Sequence, residues 1–459
     1  MKILCHVGPW CQEHFAVIGR GIDPQASLVF TSGFQAIDQV GLTKTYYSYV
    51  DGASNLAEWS DPRDEEVVTR CRLLRSLDAA AAHRHVRALR RSAREMLRST
   101  RPDIFLCETV DQFFHDVLFQ EARSAGIASY GLVQSFVNGY FRLSERGEMN
   151  IVREPTNDET EDVRKRLTEN DYVPRFLLNA KKSPRLAYLR AMLANLVRIV
   201  YFSVRRQSSG EKYNYHYWVS ERTPRQLQAH IIPKAELGTS QWKEAIAASV
   251  KPTIYIPLQH FPEATIDYWI EDPYFVNYPA RLGEVIDRLR QRFHILIKEH
   301  PNVWGYRKPS FYKLFEGKAD ITIVPTNVAS QECIGLSDAV LVWTGSVGFE
   351  AALRGKPVLS VCTPYYASGS RFMRFDLATP LQDIARFIEE THNTPIDHNE
   401  QSLLVKHLLS GLIPGRCQVD GSFSLTSEKD VSDASNIGAA VREVHLARTS
   451  SLRRSIPLV

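Results

Sequence analysis

The amino-acid sequence predicts an α/β protein of two Rossmann-like, doubly wound domains joined by a helical bridge. Three observations carry this. At 459 residues the chain exceeds the roughly 250–300 residues at which a single core stops growing, so it divides. Short apolar runs alternate with helical segments in two separate stretches, as parallel βαβ units require. Between those stretches the rhythm breaks into charged and helical sequence.

The first stretch covers residues 1–150. "KILCHV" (2–7), "SLVFTS" (27–32), "DIFLCE" (103–108) and "ASYGLV" (128–133) read as strands, with helices from about Asp78 to Arg98 and over 111–126. Strand, helix and strand in that order give right-handed crossovers and a parallel sheet. Residues 151–250 read as a charged and helical bridge or insertion containing the loop "RRQSSGEKYN". The rhythm restarts at "PTIYIPLQ" (252–259) and continues through "HILIKEH", "ITIVP", "AVLVW" and "PVLSV", giving a second domain over 251–412. Residues 413–459 are polar and rich in Ser and Asp, and read as a tail that is partly mobile. Two such sheets are expected to turn their carboxyl edges to a central cleft, where open α/β proteins bind ligands.

Composition narrows the function classes. With 44% hydrophobic and 24% charged residues the chain is globular. Its 56 basic and 52 acidic residues, a net charge of +4, are too balanced to imply a nucleic-acid partner by charge. Seven cysteines scattered through apolar runs read as reduced, buried thiols of a cytoplasmic protein. Cys5 and Cys11 with His6 and His14 lack the CxxC pairing of a zinc site. "MKILCHVGPW" enters a strand directly, without a signal peptide's apolar region, and no run approaches the roughly 18 apolar residues of a membrane span. "LANLVRIVYFSVRR" (193–206), interrupted by Arg198 and flanked by Lys181, Lys182, Arg185, Arg190, Arg205 and Arg206, reads as an interdomain helix with a solvated basic face. A helix resting on anionic lipid is the other reading.

Chemistry-bearing residues gather at predicted strand ends. After "AVLVW", Thr344, Gly345, Ser346 and Gly348 open a helix whose first N–H groups favour an anion. A plain Ser346 cap with Glu350 complementing the helix end fits equally well. In "ILIKEHPNVWGY", Lys298, Glu299 and His300 stand at a strand's carboxyl end, and Pro301 stops that strand. Cation and donor groups there suit a nucleotide phosphate, with His300 stabilising or protonating a leaving oxygen. In "YIPLQHFPEATI", Gln259, His260 and Glu263 follow the second domain's first strand, and Glu263 fits a catalytic carboxylate, a sugar ligand or a loop acid. In the first domain "HVGPWCQEHFAVIGRG" lacks a full G-x-G-x-x-G. Glu108 and Asp111 in "FLCETVDQFFHD" fit a general base, or a helix cap and a surface acid. "HRHVRALRRSAREMLRSTR" reads as a solvated helix face, the other reading being a face that attracts an anionic saccharide or lipid head group.

"IPLQ" with its following acid, "IKEHP", "SDAVLVWTGSVGFEAALRGKPVL" and "PYY", in that order over Pro252–Tyr366, resemble the capsule polysaccharide biosynthesis family. These are GT-B-type glycosyltransferases that include capsule transferases for the sugar Kdo. The resemblance implies a GT-B-like fold and a metal-independent transferase. Its donor is a nucleotide sugar, CMP-linked Kdo being favoured, and it needs no other cofactor. The acceptor is a saccharide or lipid-linked glycan, and the setting is the cytoplasm with peripheral contact at the inner membrane. By the same resemblance His300 and Pro301 form the HP motif that meets the nucleotide phosphate, Thr344 and Ser346 the helix-terminal phosphate site, and Gln259 and Glu263 the donor-side loop. Glu263 stands where the family pattern has Asp, and Trp343 where a smaller or polar residue is common. A non-catalytic saccharide- or nucleotide-binding protein and a nucleotide-sugar 2-epimerase are the alternatives on the same architecture.

Overall fold

In the computed structural model the chain divides into two compact units, Met1–Glu154 with Leu409–Val459, and Pro155–Leu408. The structure describes residues 1–52, 55–169, 172–174, 184–208, 238–303, 307, 309–315, 317–418 and 421–454.

Four strands of the first unit are parallel: β1 (Lys2–His6), β2 (Ser27–Thr31), β3 (Ile104–Glu108) and β4 (Ala128–Gln134). Two short antiparallel strands extend the β4 edge, β5 (Tyr140–Leu143) and β12 (Leu412–Pro414), giving the order β12-β5-β4-β3-β1-β2. Between β4 and β5 the backbones come so close that a Cβ at Gly131 would lie 2.3 Å from the Ser144 carbonyl oxygen, so glycine is obligatory there. The core joins Ile3, Ile104, Leu106, Tyr130 and Phe141 to Ile413 and Ile437.

The expected polar tail is instead part of this unit. Residues Glu428–Arg454 form a 27-residue helix that lies against the helix Gln12–Ile22. The crossing is glycine on glycine: a Cβ on Gly21 would meet the Ser435 oxygen at 2.6 Å, and one on Gly438 the Ile18 oxygen at 2.2 Å. Small residues let the two backbones touch, and Phe15, Ile18 and Ile22 of one helix share a buried core with Ala434, Ile437 and Val441 of the other. The basic helix also differs from expectation. It runs over Ala79–Thr100, begins at the Asp78 cap, and sinks Arg90 completely. There Arg90 donates to Asp64 Oδ1 at 2.7 Å and to Glu121 Oε1 at 2.5 Å, the pairing a buried guanidinium requires.

The second unit holds an all-parallel sheet: β6 (Thr253–Pro257), β7 (His294–Lys298), β8 (Ile321–Val324), β9 (Ala339–Val342), β10 (Val358–Ser360) and β11 (Phe372–Arg374). Its order, β11-β10-β9-β6-β7-β8, is the doubly wound one, with a switch point between β6 and β9. Every residue of β6, β7 and β9 is buried, as strands covered on both faces must be. Of the expected bridge, the helices Asn157–Thr168, Pro184–Ser208 and Trp242–Ala247 count with this unit. The expected loop at 205–214 is helical to Ser208, and beyond that it lies outside the described residues. All seven cysteines are buried thiols outside any disulfide. Among the described residues no helix is long and apolar enough to cross a membrane.

Candidate functional site

In open α/β sheets ligands bind outside the carboxyl ends of the strands, where the strand order reverses. In the second unit that place is filled by the residues following β6, β7 and β9. Gln259, after β6, is buried and fixed on three sides. Its N–H donates to Tyr278 Oη at 3.0 Å, its Nε2 reaches the Pro257 oxygen at 3.4 Å, and its carbonyl accepts from Arg307. Its amide rests on Gly345, where a Cβ would sit 3.0 Å from Nε2. Gly345 is therefore glycine to let the ends of β6 and β9 meet.

A second group stands beside it. His260 Nδ1 pairs with Glu263 Oε1 at 3.1 Å, the His260 and His300 rings are 5.5 Å apart, and Thr265 Oγ1 donates to Glu263 Oε2 at 2.7 Å. Desolvation works to raise the Glu263 carboxyl. The hydrogen bond and charge of His260, the Thr265 hydroxyl and the charge of His300 overcome it and hold the carboxyl at about 2. His300 moves the other way. Burial pushes it down to about 3, helped by the like charges of His260, Arg307 and Lys298 and opposed by Glu263. An ionised glutamate thus faces an imidazole that is neutral at pH 7.

Lys298 is buried at the end of β7 and its charge acts on both His300 and Cys333. Pro301 begins a single 3-10 turn, Pro301–Val303, closed by the Val303 N–H on the His300 oxygen at 2.9 Å. Glu299, expected as a third site group, is buried and consumed by structure. Its Oε2 accepts from Arg307 Nε at 2.8 Å and Tyr312 Oη at 2.6 Å, and its Oε1 from the His300 N–H at 2.6 Å. The sequence reading missed Arg307 and Tyr312, which come from beyond the turn.

After β9, Thr344 is buried and its Oγ1 has no hydrogen-bond partner among the described residues. Such a hydroxyl is costly unless something arrives to meet it. Ser346 occupies the cap position of the helix Val347–Leu353 but makes no side-chain cap hydrogen bond, so the plain capping reading fails. Glu350 Oε2 accepts from Gln331 Nε2 at 3.1 Å. Gly348 makes room for Tyr366, whose hydroxyl would lie 2.6 Å from an added Cβ and donates to the Gly345 oxygen at 2.5 Å. Trp343 is core, edge-on to Tyr278 at 5.0 Å.

The first unit has its own switch point between β1 and β3, where His6 ends one strand and Glu108 the next. Burial pushes the Glu108 carboxyl up to about 7, with the Cys11 thiol hydrogen bond opposing and the Asp111 charge adding. His6 is buried, its Nδ1 has no partner among the described residues, and its ring meets that of His115 at 5.3 Å. Asp111 is half exposed and paired with Arg72. His6 and Cys11 were read in sequence only as failed zinc ligands. Among the described residues no group of three or more His, Cys, Asp or Glu side chains is placed to hold a metal ion.

Residues 212–369 match the family described as "Capsule polysaccharide biosynthesis protein", about a third of the chain. No curated protein matches significantly. Solved structures with similarity include KpsC of Thermosulfurimonas dismutans, a beta Kdo 2,7 transferase. It shares 13% identity and a TM-score of 0.37, covering 97% of this chain and 100% of that one. A second KpsC structure, the beta Kdo 2,4 transferase, gives 9% and 0.30 over 67% and 79%. The UDP-GlcNAc 2-epimerase of Methanocaldococcus jannaschii gives 11% and 0.30 over 89% and 99%. Scores of this size carry no residue's role across.

Proposed function

We propose that this protein, whose residues 212–369 match the capsule polysaccharide biosynthesis family, is a glycosyltransferase that moves a sugar from a nucleotide donor to a saccharide acceptor. The observation that carries the reading is a coincidence of place. The matched segment holds the switch-point cluster of Gln259, His260, Glu263 and His300 with the unpartnered Thr344 hydroxyl.

Each group has a role that its environment suits. The Thr344 hydroxyl donates to a donor phosphate oxygen and gains the partner it lacks. His300, neutral in the free protein, offers a ring N–H to the same phosphate. The arriving negative charge raises its proton affinity, so it becomes a better stabiliser as the bond to the anomeric carbon breaks and charge gathers on the leaving oxygen. Glu263 stays ionised and orients His260. Lys298, Gln259, Pro301 and Gly345 shape and charge the pocket's floor, and no metal is invoked. In the first unit Glu108 is the carboxylate suited to accept the acceptor hydroxyl's proton, because its affinity sits close to neutral pH. CMP-linked Kdo is the favoured donor.

The test is a thermal-shift screen of the purified chain with CMP, UDP, GDP and CDP, followed by incubation of CMP-Kdo with an oligosaccharide acceptor. Selective stabilisation by one nucleotide, and an acceptor lengthened by one sugar, are expected. His300→Ala should lose most turnover while keeping its fold, and near-normal turnover in that variant would sink the assignment. Isomerisation of a UDP-linked sugar with no acceptor consumed would make the protein an epimerase, and nucleotide binding without turnover a non-catalytic binder.

A further inference from the structure

The helix Pro184–Ser208 shows more than the expected basic face. Beside exposed Arg190 and Arg198 it carries an exposed apolar row: Leu193 is 65% accessible, Val197 70% and Val200 66%, and Leu189, Leu196 and Val204 are exposed as well. At about 100° per residue these six positions fall within a single arc of roughly 100°. Outside that arc Met192, Ile199, Phe202 and Ser203 are half-buried, and Met192 packs against the core of the second unit. A helix that buries one side and shows water a continuous row of leucine and valine on the other has a partner of its own.

Charge identifies that partner. From Pro174 to Gly210 the chain carries no Asp or Glu and eight Lys or Arg residues. Two of these, Arg190 and Arg198, are exposed; Arg190 borders the apolar row and Arg198 lies about 100° beyond that border. A second copy of the chain is a poor occupant, since a symmetric pairing brings the same cations together with no acid in the segment to offset them. An anionic bilayer satisfies both halves at once. The apolar row enters the boundary between headgroups and acyl chains, while Arg190 at its border stays at the phosphates and the remaining cations of the segment add long-range attraction. We infer that the face of Pro184–Ser208 bearing Leu193, Val197 and Val200 is a membrane-docking surface for anionic lipid, lying in the plane of the bilayer without crossing it. The inference stands on this helix alone and is independent of the reaction proposed above.

The experiment is co-sedimentation of the full chain with vesicles of phosphatidylcholine containing about one-third phosphatidylglycerol, and with vesicles of phosphatidylcholine alone. Binding to the anionic vesicles should fall by roughly tenfold or more in the triple variant Leu193→Asp, Val197→Asp, Val200→Asp. These side chains are exposed, so the variant's thermal midpoint should match the wild type. Arg190→Gln with Arg198→Gln, which leaves the apolar row intact, should weaken binding less and reduce its sensitivity to salt. Equal binding to neutral vesicles, no loss in either variant, or a wild-type dimer that the aspartates dissociate would each overturn the inference.

Discussion

Glu108 and Glu263 are the same functional group, Glu108 ending β3 and Glu263 in the segment after β6, each beside a switch point, and their proton affinities lie far apart. Glu108 has one weak hydrogen-bond donor, the Cys11 thiol, and a like charge nearby, and burial lifts it to about 7. Glu263, half-exposed, receives a histidine and a hydroxyl, and despite partial desolvation is held at about 2. Strand order therefore locates a carboxylate, while the donors around it decide what it can do. One becomes a base able to exchange a proton near neutral pH, the other a fixed anion.

Substitutions that remove only the charge test this contrast, in decreasing order of effect. Glu108→Gln should lower kcat by on the order of a hundredfold or more, with nucleotide affinity unchanged. A loss confined to KM would assign Glu108 to binding instead. Glu263→Gln should weaken donor binding by roughly tenfold through loss of a charge-assisted hydrogen bond to His260, read as a smaller nucleotide-induced thermal shift. A wild-type shift would break the role given to the His260 pair. The smallest effects lie in stability against pH. Folded Glu108 keeps a proton that the unfolded chain releases, so wild-type stability declines as pH rises from 4.5 through about 7. Glu108→Gln should escape that decline. Glu263 has the opposite sign: its contribution is present above 4.5 and is lost as pH falls toward about 2. Thermal midpoints of both variants against wild type across pH check the two slopes, and parallel curves would refute the difference in affinity.

Much of this was legible in sequence because strands buried on both faces are written as continuous apolar runs. "HILIK" and "AVLV" gave their positions directly, and the residues following them, His300 and Thr344, came with the strand ends. The short edge strands β5, β11 and β12 were not legible. Three or four residues such as Phe372–Arg374 carry no period of their own, and only a neighbouring strand makes them strands. The partners of Glu299 were hidden for another reason, since Arg307 and Tyr312 return to it from beyond the Pro301 turn. The helix Glu428–Arg454 escaped because its apolar positions, Ala434, Ile437 and Val441, are few and set among Ser, Asp and Arg, and because its closest contact is made by Gly438 against backbone. On Pro184–Ser208 the sequence shows both the arginines and the apolar run between them, but which of these side chains water meets depends on the packing of Met192, Ile199 and Phe202.

The glycine crossing of Gly21 and Gly438 also sets an order of events during synthesis. The sheet of the first unit acquires its edge strand β12 and the covering helix Glu428–Arg454 only after residues 155–408 have been made. The early strands must wait on the ribosome with Phe15, Ile18 and Ile22 uncovered, while the second unit has all of its own strands in hand. The unit that starts first is thus finished last, and quality control during translation meets its unfinished face for as long as the other unit takes to emerge.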